Sequence, residues 1–301
     1  MGEPPPGAQI MQISSEIITT PPIDAATVLL LRDGMEGLEV LLLKRHSAST
    51  DLGGAFVFPG GKLDAGDAAP GLLAQLSHSA KDLHAQLAEP ELTHEHAASL
   101  FVAVMRECFE ECGLLLSTAN PSAQFQQDHQ AGMAWPELLW QHRLNLNCQN
   151  VLPWSRWITP RMPSLMSKRF DTRFFLAQAP TEQTAAHDNH ETTESLWIAP
   201  RQALIRYWHG EIVLAPPQIM SLSHLNLFEN VQAAMQHARQ NAPALIQPEP
   251  FDQDGMRVIC YPGDPRHSNS SRALPGPTRL HFRNKRFEPD GGLAALLHNP
   301  P

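Results

Sequence analysis

The sequence predicts an α/β fold, because segments typical of strands and segments typical of helices both occur along the chain. Residues 25–32 and 38–45 are apolar and rich in branched side chains, which favours two strands, and the Asp33-Gly34 pair between them favours a hairpin turn. Residues 101–113 repeat apolar side chains at helical spacing and end at a glycine. With 301 residues, 42% of them hydrophobic, the chain is long and apolar enough to form a globular core.

Composition divides the chain into three parts. Residues 1–22 are predicted to be a flexible N-terminal arm, residues 23–240 the main domain, and residues 241–301 a Pro-rich C-terminal extension with short strands. Within the main domain we expect a helical insertion at about 68–105. A helical cap is expected at about 121–150, which either closes over a substrate or packs on the sheet.

The remaining elements follow from local patterns. Residues 154–159, 169–178 and 196–199 read as strands, and apolar residues at helical spacing over 222–238 indicate one amphipathic helix. Residues 278–287 are expected to form a hairpin that turns at Asn284.

The most informative feature is a glycine-rich loop followed, well downstream, by an acidic helix. Glu107, Glu110 and Glu111 stand three and four residues apart, so a helix places all three carboxylates on one face. Such like charges repel each other unless a cation sits between them, and oxygen ligands of this kind suit Mg²⁺ or Mn²⁺ better than zinc. The opposite face is apolar, which predicts that the helix packs inward while the acids point outward.

Together the loop and the helix resemble a Nudix box. Counting from Gly61, Asp67 takes the position of the family's first Glu, and Arg106 to Leu114 match position by position. Residues 68–105 fill a gap that is normally seven residues long. The resemblance implies an α/β/α sandwich with a mixed β-sheet, and it implies that Arg106 pairs with Asp67. Because Asp is one methylene shorter than Glu, we expect that bridge to be closer or looser and the activity to be lowered.

Upstream residues resemble the signature of the Nudix coenzyme A diphosphatases. Arg45 and Gly54 are in register, and the Phe58-Pro59-Gly60-Gly61 turn follows them. His46 stands where a small residue is usual, and Thr50 where a basic residue is usual. Segments 154–160, 169–172 and 216–218 resemble the same branch, which contains the mammalian peroxisomal enzyme.

The resemblance implies metal-dependent hydrolysis of the diphosphate bond of coenzyme A or acyl-coenzyme A, giving 3′,5′-ADP and 4′-phosphopantetheine derivatives. Glu107, Glu110 and Glu111 would hold Mg²⁺ or Mn²⁺, and a bound water would attack one phosphorus. Either Glu107 or Glu191 would accept the proton from that water. Glu191 is chosen over Glu194 on its spacing before Trp197, and a solvated loop acid is the alternative.

Other residues are assigned to binding the substrate, a coenzyme A-like nucleoside diphosphate derivative. Gly60 and Gly61 would let the backbone approach the phosphates, since a side chain there would obstruct them. Lys62 or Arg106 would screen charge or order the loop, and Arg45 with Gly54 would contribute to binding. Two alternatives remain: a Nudix pyrophosphatase of ADP-ribose, NADH or another nucleoside diphosphate derivative, and a non-catalytic nucleotide-binding module.

Composition also excludes some classes of protein. The net charge of -9 argues against a nucleic-acid-binding surface. No stretch approaches 18 apolar residues and the start lacks a signal-peptide pattern, so we expect a cytoplasmic protein that does not span a membrane. The end, His298-Asn299-Pro300-Pro301, is not a Ser-Lys-Leu-type address, so a peroxisomal location is not expected.

Two further clusters are open to more than one interpretation. The four cysteines lack disulfide or zinc spacing and are expected to be buried thiols, and the four histidines of the insertion favour an exposed helix over a metal site because their spacing is irregular. Arg and Lys residues between 266 and 286 form a basic strip. It would meet a substrate phosphate, meet a second subunit in a homodimer, or remain a solvated hairpin.

Overall fold

The structure is a computed structural model, and it describes residues 14–187 and 191–298. Its centre is an eight-stranded sheet with the order β3-β2-β1-β6-β5-β8, in which β4 pairs with β1 and β7 pairs with β2. The strands are β1 (Ile23–Gly34), β2 (Gly37–Arg45), β3 (Phe56–Val57), β4 (Gly60–Lys62), β5 (Val151–Ile158), β6 (Phe170–Gln178), β7 (Thr192–Ile198) and β8 (Ala244–Ile246).

Strand β1 lies inside the sheet and makes it mixed, because it pairs antiparallel with β2 and parallel with β6. Successive side chains of a strand point to opposite faces. In β1, Leu29 and Leu31 join one apolar cluster, while Val28 and Leu30 join the other. Both faces of the sheet are therefore covered, and the predicted hairpin and α/β/α sandwich are confirmed.

One helical layer consists of α1 (Pro70–Leu73), α2 (Ala80–Leu87), α3 (His94–Cys112), α4 (Ala123–Gln130) and α5 (Trp135–Gln141). The insertion is helical, as predicted, but it forms two short helices before α3 instead of one exposed helix. They bury Leu72, Leu83 and Leu87, and the Ser79 side chain starts the second by accepting a hydrogen bond from the Asp82 N–H. From His94 onward the insertion supplies the first turns of α3.

The other layer consists of α6 (Pro200–Trp208), α7 (Pro216–Leu225) and α8 (Val231–Gln240). The single helix predicted over 222–238 is wrong. Asn230 divides it, because its side chain accepts a hydrogen bond from the Ala233 N–H and begins α8.

The C-terminal extension forms a second sheet that packs on this layer. Its elements are β9 (Glu249–Gln253), β10 (Met256–Cys260), β11 (Arg279–Arg283), β12 (Arg286–Glu288) and α9 (Gly292–Leu296). Asn284 and Lys285 adopt φ of 53° and 61°, which gives the predicted hairpin turn. The Tyr207 hydroxyl donates to the Phe287 carbonyl oxygen at 2.9 Å, and both side chains belong to the same core cluster.

The N-terminal arm is only partly described, since residues 1–13 lie outside the described residues, as do 299–301 at the other end. Residues 14–22 do not form a loose arm. The Ser14 N–H donates to the Ser164 carbonyl oxygen at 2.8 Å, and the Ile18 N–H donates to that of Arg161 at 2.7 Å. None of the helices in 14–187 and 191–298 is both long and apolar enough to cross a membrane.

Candidate functional site

Strand β4 brings the glycine loop against helix α3. Gly60 and Gly61 pair with β1, and the Gly60 N–H donates to Glu111 Oε2 at 2.9 Å. A Cβ atom on Gly61 would lie 2.3 Å from Glu107 Oε1. Only glycine fits at Gly61 with this arrangement, because the Glu107 carboxylate occupies the space that a side chain would need.

Arg106 connects the loop to the helix. Its guanidinium donates to both carboxylate oxygens of Asp67 at 2.8 and 2.9 Å, and to the Lys62 carbonyl oxygen at 3.2 Å. Asp67 is 1% exposed, so this pair is shielded from water. The shorter acid thus reaches Arg106 without loss of contact. Burial alone would lower the Arg106 pKa, but its bonds to Asp67 and the nearby Glu107 raise that pKa well above its usual range.

The expectation that all three acids point outward is wrong for one of them. Glu111 is 5% exposed and Glu107 is partly buried, whereas the Glu110 side chain is 41% exposed. Burial is the main cause that raises the pKa of Glu107 to about 7 and that of Glu111 to about 8, and the charge of Glu191 makes a smaller contribution to both. A cation placed among these carboxylates would favour their charged forms.

The carboxylates fit a divalent cation in chemistry, since they are the oxygen donors that Mg²⁺ and Mn²⁺ prefer. The three carboxylates are not arranged as the ligands of one metal ion in this structure. No three acidic or sulfur- or imidazole-bearing side chains within the described ranges are gathered as ligands. Arg106 Nη1 lies 2.9 Å from both Glu107 Oε1 and Glu110 Oε2. Those two side chains must therefore turn away from Arg106 to bind an ion.

A cavity of about 900 Å³ opens beside the loop. Six of the predicted site residues line it: Arg45, Gly60, Gly61, Lys62, Glu107 and Glu191. Four others are absent from its described walls: Gly54, Arg106, Glu110 and Glu111. Gly54 has a φ of 76° and donates its N–H to the Arg45 carbonyl oxygen at 3.2 Å, so it shapes the turn beside Arg45. Glu194 lies in β7, 3.5 Å from Lys44 Nζ, whereas Glu191 reaches the cavity.

Sequence reasoning assigned no role to several other wall residues. Trp157, Thr172 and Gln218 belong to the three segments that resemble the coenzyme A diphosphatase branch, and each of those segments contributes to the walls. That shared resemblance was the available signal. Lys168 and Ile259 carried no comparable signal, because distant loops and the C-terminal sheet bring them to the cavity.

The predicted helical cap and the basic strip do not contribute to the described wall of the cavity. Helices α4 and α5 pack on α3, where the Trp135 ring stacks on Phe109 with centroids 5.6 Å apart, and they supply none of the described cavity wall. In the extension, Arg279 pairs with Asp264, and Arg283 pairs with Glu288. Each charge of these two pairs is thus matched inside the extension rather than turned to the cavity.

The histidines and cysteines behave as structural groups. Cys108, Cys112, Cys148 and Cys260 are all free and buried, as expected. The Sγ atoms of Cys108 and Cys112 lie 3.8 Å apart on the inward face of α3. In the described segments the insertion's histidines form no group that could hold a metal.

Comparison with known proteins decides the family. A family model described as the NUDT19 Nudix domain matches residues 19–225, more than half of the chain. The chain belongs to the Nudix hydrolases. Enzymes of this family act on diphosphate bonds and generally need divalent metal ions.

This Nudix hydrolase is similar to animal proteins of the same branch. It is 28% identical over 272 residues to "Acyl-coenzyme A diphosphatase NUDT19" of Xenopus laevis, covering 75% of this chain and 70% of that protein. It is 28% identical to the Homo sapiens protein of the same name, covering 79% and 75%. A NUDIX hydrolase from Alicyclobacillus acidocaldarius shares the fold with a TM-score of 0.59 and 26% identity, over 75% of this chain and 98% of that one.

Proposed function

We propose that this Nudix hydrolase cleaves the diphosphate bond of coenzyme A or acyl-coenzyme A, with Mg²⁺ or Mn²⁺ as the metal. The products would be 3′,5′-ADP and 4′-phosphopantetheine or its acyl derivative. The observation that carries the proposal is the cavity, which places Glu107 and the Gly60-Gly61 backbone beside the basic side chains of Arg45 and Lys62. The names of the relatives support the choice of substrate.

Different residues of the chain would bind the metal, accept the proton and position the loop. Glu107, Glu110 and Glu111 would hold the divalent ion, which when bound supplies positive charge for the diphosphate and lowers the pKa of a water. Glu107 or Glu191, which both line the cavity, would accept the proton as that water attacks phosphorus. Arg106 holds the loop in place through Asp67 and Lys62.

Arg45 is suited to bind a phosphate oxygen. Its Nε is buried and, among the residues that the structure describes, has no hydrogen-bond partner. A buried donor of this kind costs free energy until a ligand satisfies it, and charged donors form the stronger hydrogen bonds to phosphate. Gly61 has no side chain, so the backbone of the loop would be open to the phosphates of the substrate.

A second candidate function rests on His46 and Thr50. Both line the cavity, and both depart from the coenzyme A diphosphatase signature. Because the wall differs from that signature at these two positions, the second candidate function is hydrolysis of the diphosphate bond of ADP-ribose or NADH.

Product analysis by chromatography tests the proposal. Purified full-length protein with Mg²⁺ or Mn²⁺ would be offered coenzyme A, acetyl-coenzyme A, ADP-ribose and NADH. We expect 3′,5′-ADP from the first two, and a loss of at least about a hundredfold in kcat/KM for Glu107→Gln. The matched control is Glu95→Gln, the same change at an exposed position in the first turn of α3.

Each alternative gives a different result. Cleavage of ADP-ribose or NADH in place of coenzyme A would keep the catalytic residues and overturn the substrate. No turnover of any substrate by folded protein would favour the binding module. A Glu107→Gln enzyme as active as Glu95→Gln would remove Glu107 from the catalytic set.

Two further predictions concern the whole protein. We propose a cytoplasmic location, which fractionation of cells making the protein would test. A homodimer remains a proposal, and light scattering of the purified chain measures its mass against the 33.3 kDa of one copy.

A further inference from the structure

The cavity extends sideways across the sheet. Its walls include Thr27 on β1, Thr172 on β6, Trp157 on β5 and Pro248 just after β8. These strands are consecutive neighbours in the order β1-β6-β5-β8. Neighbouring strands lie about 4.8 Å apart, so the three steps from β1 to β8 span roughly 15 Å. The cavity is therefore long enough to hold a substrate whose diphosphate lies at the β1 end and whose remaining part reaches β5.

Part of the cavity wall is apolar. Trp157, Pro216, Pro217 and Ile259 contribute to it, and Trp157 is buried and packs against Phe174. Apolar walls of this kind suit a flat ring or an aliphatic chain, but they do not select between polar groups of similar shape. Selection needs a hydrogen-bonding group among them.

Gln218 is that group. It stands at the start of α7, is 8% exposed and lines the cavity. Its Oε1 is buried and, within the part of the chain that the structure describes, accepts no hydrogen bond. A buried amide oxygen without a partner is costly. Rotation of the amide about the Cγ–Cδ bond would turn this oxygen towards the cavity, where a ligand can supply the partner.

The helix terminus around Gln218 is also left open. Ala215 occupies the N-cap position and has no side chain that can cap the helix. Pro216 and Pro217 have no backbone N–H, so the first turn offers few donors of its own. The side chain of Gln218 is therefore the principal hydrogen-bonding group that this helix start presents to the cavity.

We propose that the Gln218 amide selects the substrate by binding a group with one donor beside one acceptor. This inference rests on the proposed function and concerns the same cavity. Coenzyme A offers a donor beside an acceptor at the edge of its adenine ring, and the trans secondary amides of its pantetheine arm offer one donor or one acceptor on each side. A Gln side chain matches either, since it carries both a donor and an acceptor.

Gln218→Met is the decisive variant, because Met has a similar length and no amide. We expect KM for coenzyme A to rise at least about tenfold, with kcat within about twofold, because one binding contact is lost. The melting temperature should stay the same or rise, since an unpaired buried acceptor is replaced by an apolar group. Gln232→Met, at an exposed position of α8, is the matched control.

Calorimetry separates the two sources of the ligand group. 3′,5′-ADP and 4′-phosphopantetheine would each be titrated into the full chain and into Gln218→Met. Weaker binding of 3′,5′-ADP alone identifies adenine as the partner, and weaker binding of 4′-phosphopantetheine alone identifies an amide of the arm.

The other outcomes overturn the inference. Unchanged KM together with unchanged binding of both fragments would show that Gln218 does not contact the ligand. A fall in melting temperature would indicate a packing role. Failure of the proposed function is distinct, because wild-type protein would then release no 3′,5′-ADP from coenzyme A while the titrations still report on Gln218.

Discussion

At the level of single residues, the absence of a side chain at Gly61 leaves room for the Glu107 carboxylate, and this contact links the loop to helix α3. The glycine is not in the left-handed region of φ, so an alanine there would suffer no backbone strain. What an alanine would meet is the carboxylate, with its Cβ 2.3 Å from Glu107 Oε1. Any added side chain must therefore displace Glu107.

We predict that Gly61→Ala lowers kcat/KM roughly tenfold to a hundredfold, because the carboxylate that we propose as catalytic would be moved by about 1 Å from its working position. Gly66→Ala is the control from the same loop, since a Cβ there meets nothing within 4 Å. Its stability should change by no more than about 1 kcal/mol and its activity should be unchanged. Equal losses in both variants would mean that the loop, and not Glu107, is the sensitive element. Steady-state kinetics and urea unfolding measure the two effects.

The identity of the pairs at the site could be predicted from sequence, but their environment could not. The resemblance to the Nudix box implied that Asp67 pairs with Arg106, and the structure forms that pair. Spacing also placed Glu111 on the outward face, yet Glu111 is buried because the Gly60 loop folds over it. Helical periodicity reports the neighbours along the helix and carries no information about a loop that arrives from 51 residues away.

At the scale of elements, helix α3 shows the same division. Its end at Gly113 was predictable, because a glycine with φ of 71° supports the hydrogen bond of its N–H to the Phe109 carbonyl oxygen. Its start at His94 was missed, because the family pattern covers only Arg106 and later residues of this helix. The Thr93 side chain caps the helix by accepting from the His96 N–H. This local signal lay inside the insertion and was not used.

Helices α4 and α5 stabilise α3 and lie outside the cavity. We therefore predict that Trp135→Ala lowers the free energy of unfolding by about 3 to 5 kcal/mol, because a large ring stacked on Phe109 is removed. KM for coenzyme A should remain within about twofold of wild type. Trp140→Ala on the same helix is the control, since Trp140 is 75% exposed and its removal should cost less than about 0.5 kcal/mol.

The measurements are urea unfolding and steady-state kinetics on the same preparations. A rise in KM for Trp135→Ala without a similar rise for Trp140→Ala would contradict the packing role. It would instead revive the predicted closure of this cap over the substrate.

At the scale of the whole molecule, segments far apart in sequence form one unit. Arg173 on β6 is 2% exposed and donates to both oxygens of Glu89 in the insertion, at 3.0 and 2.7 Å. On the opposite face, Tyr207 bonds Phe287 of the extension. Sequence composition separated the extension from the domain, and neither contact could be predicted, because buried charge pairs and shared core contacts between distant segments leave no periodic pattern.

The same long-range packing largely encloses His224 of α7, which is half-buried, and this gives the protein a predicted dependence of stability on pH. The imidazole stacks on Trp154 with ring centroids 4.7 Å apart, and His237 lies 5.3 Å away. Burial, with a smaller effect of the charges of His237 and His298, lowers the pKa of His224 from 6.5 to about 3. The native state therefore holds His224 neutral at pH values where the unfolded chain has already bound a proton.

Linkage then fixes the direction of the effect. The contribution of neutral His224 to the free energy of unfolding is fully present above pH 6.5, the pKa of the unfolded chain. It is lost as the pH falls from there towards 3. Between pH 7 and pH 5 this one group should lower the free energy of unfolding by about 2 kcal/mol. His224→Gln, which has no titrating ring, should lose about 2 kcal/mol less than wild type over that interval. His209→Gln, whose side chain is 59% exposed, should lose as much as wild type. Urea unfolding of the three proteins at both pH values measures the difference, and equal losses in all three would show that His224 is not the group that senses acid.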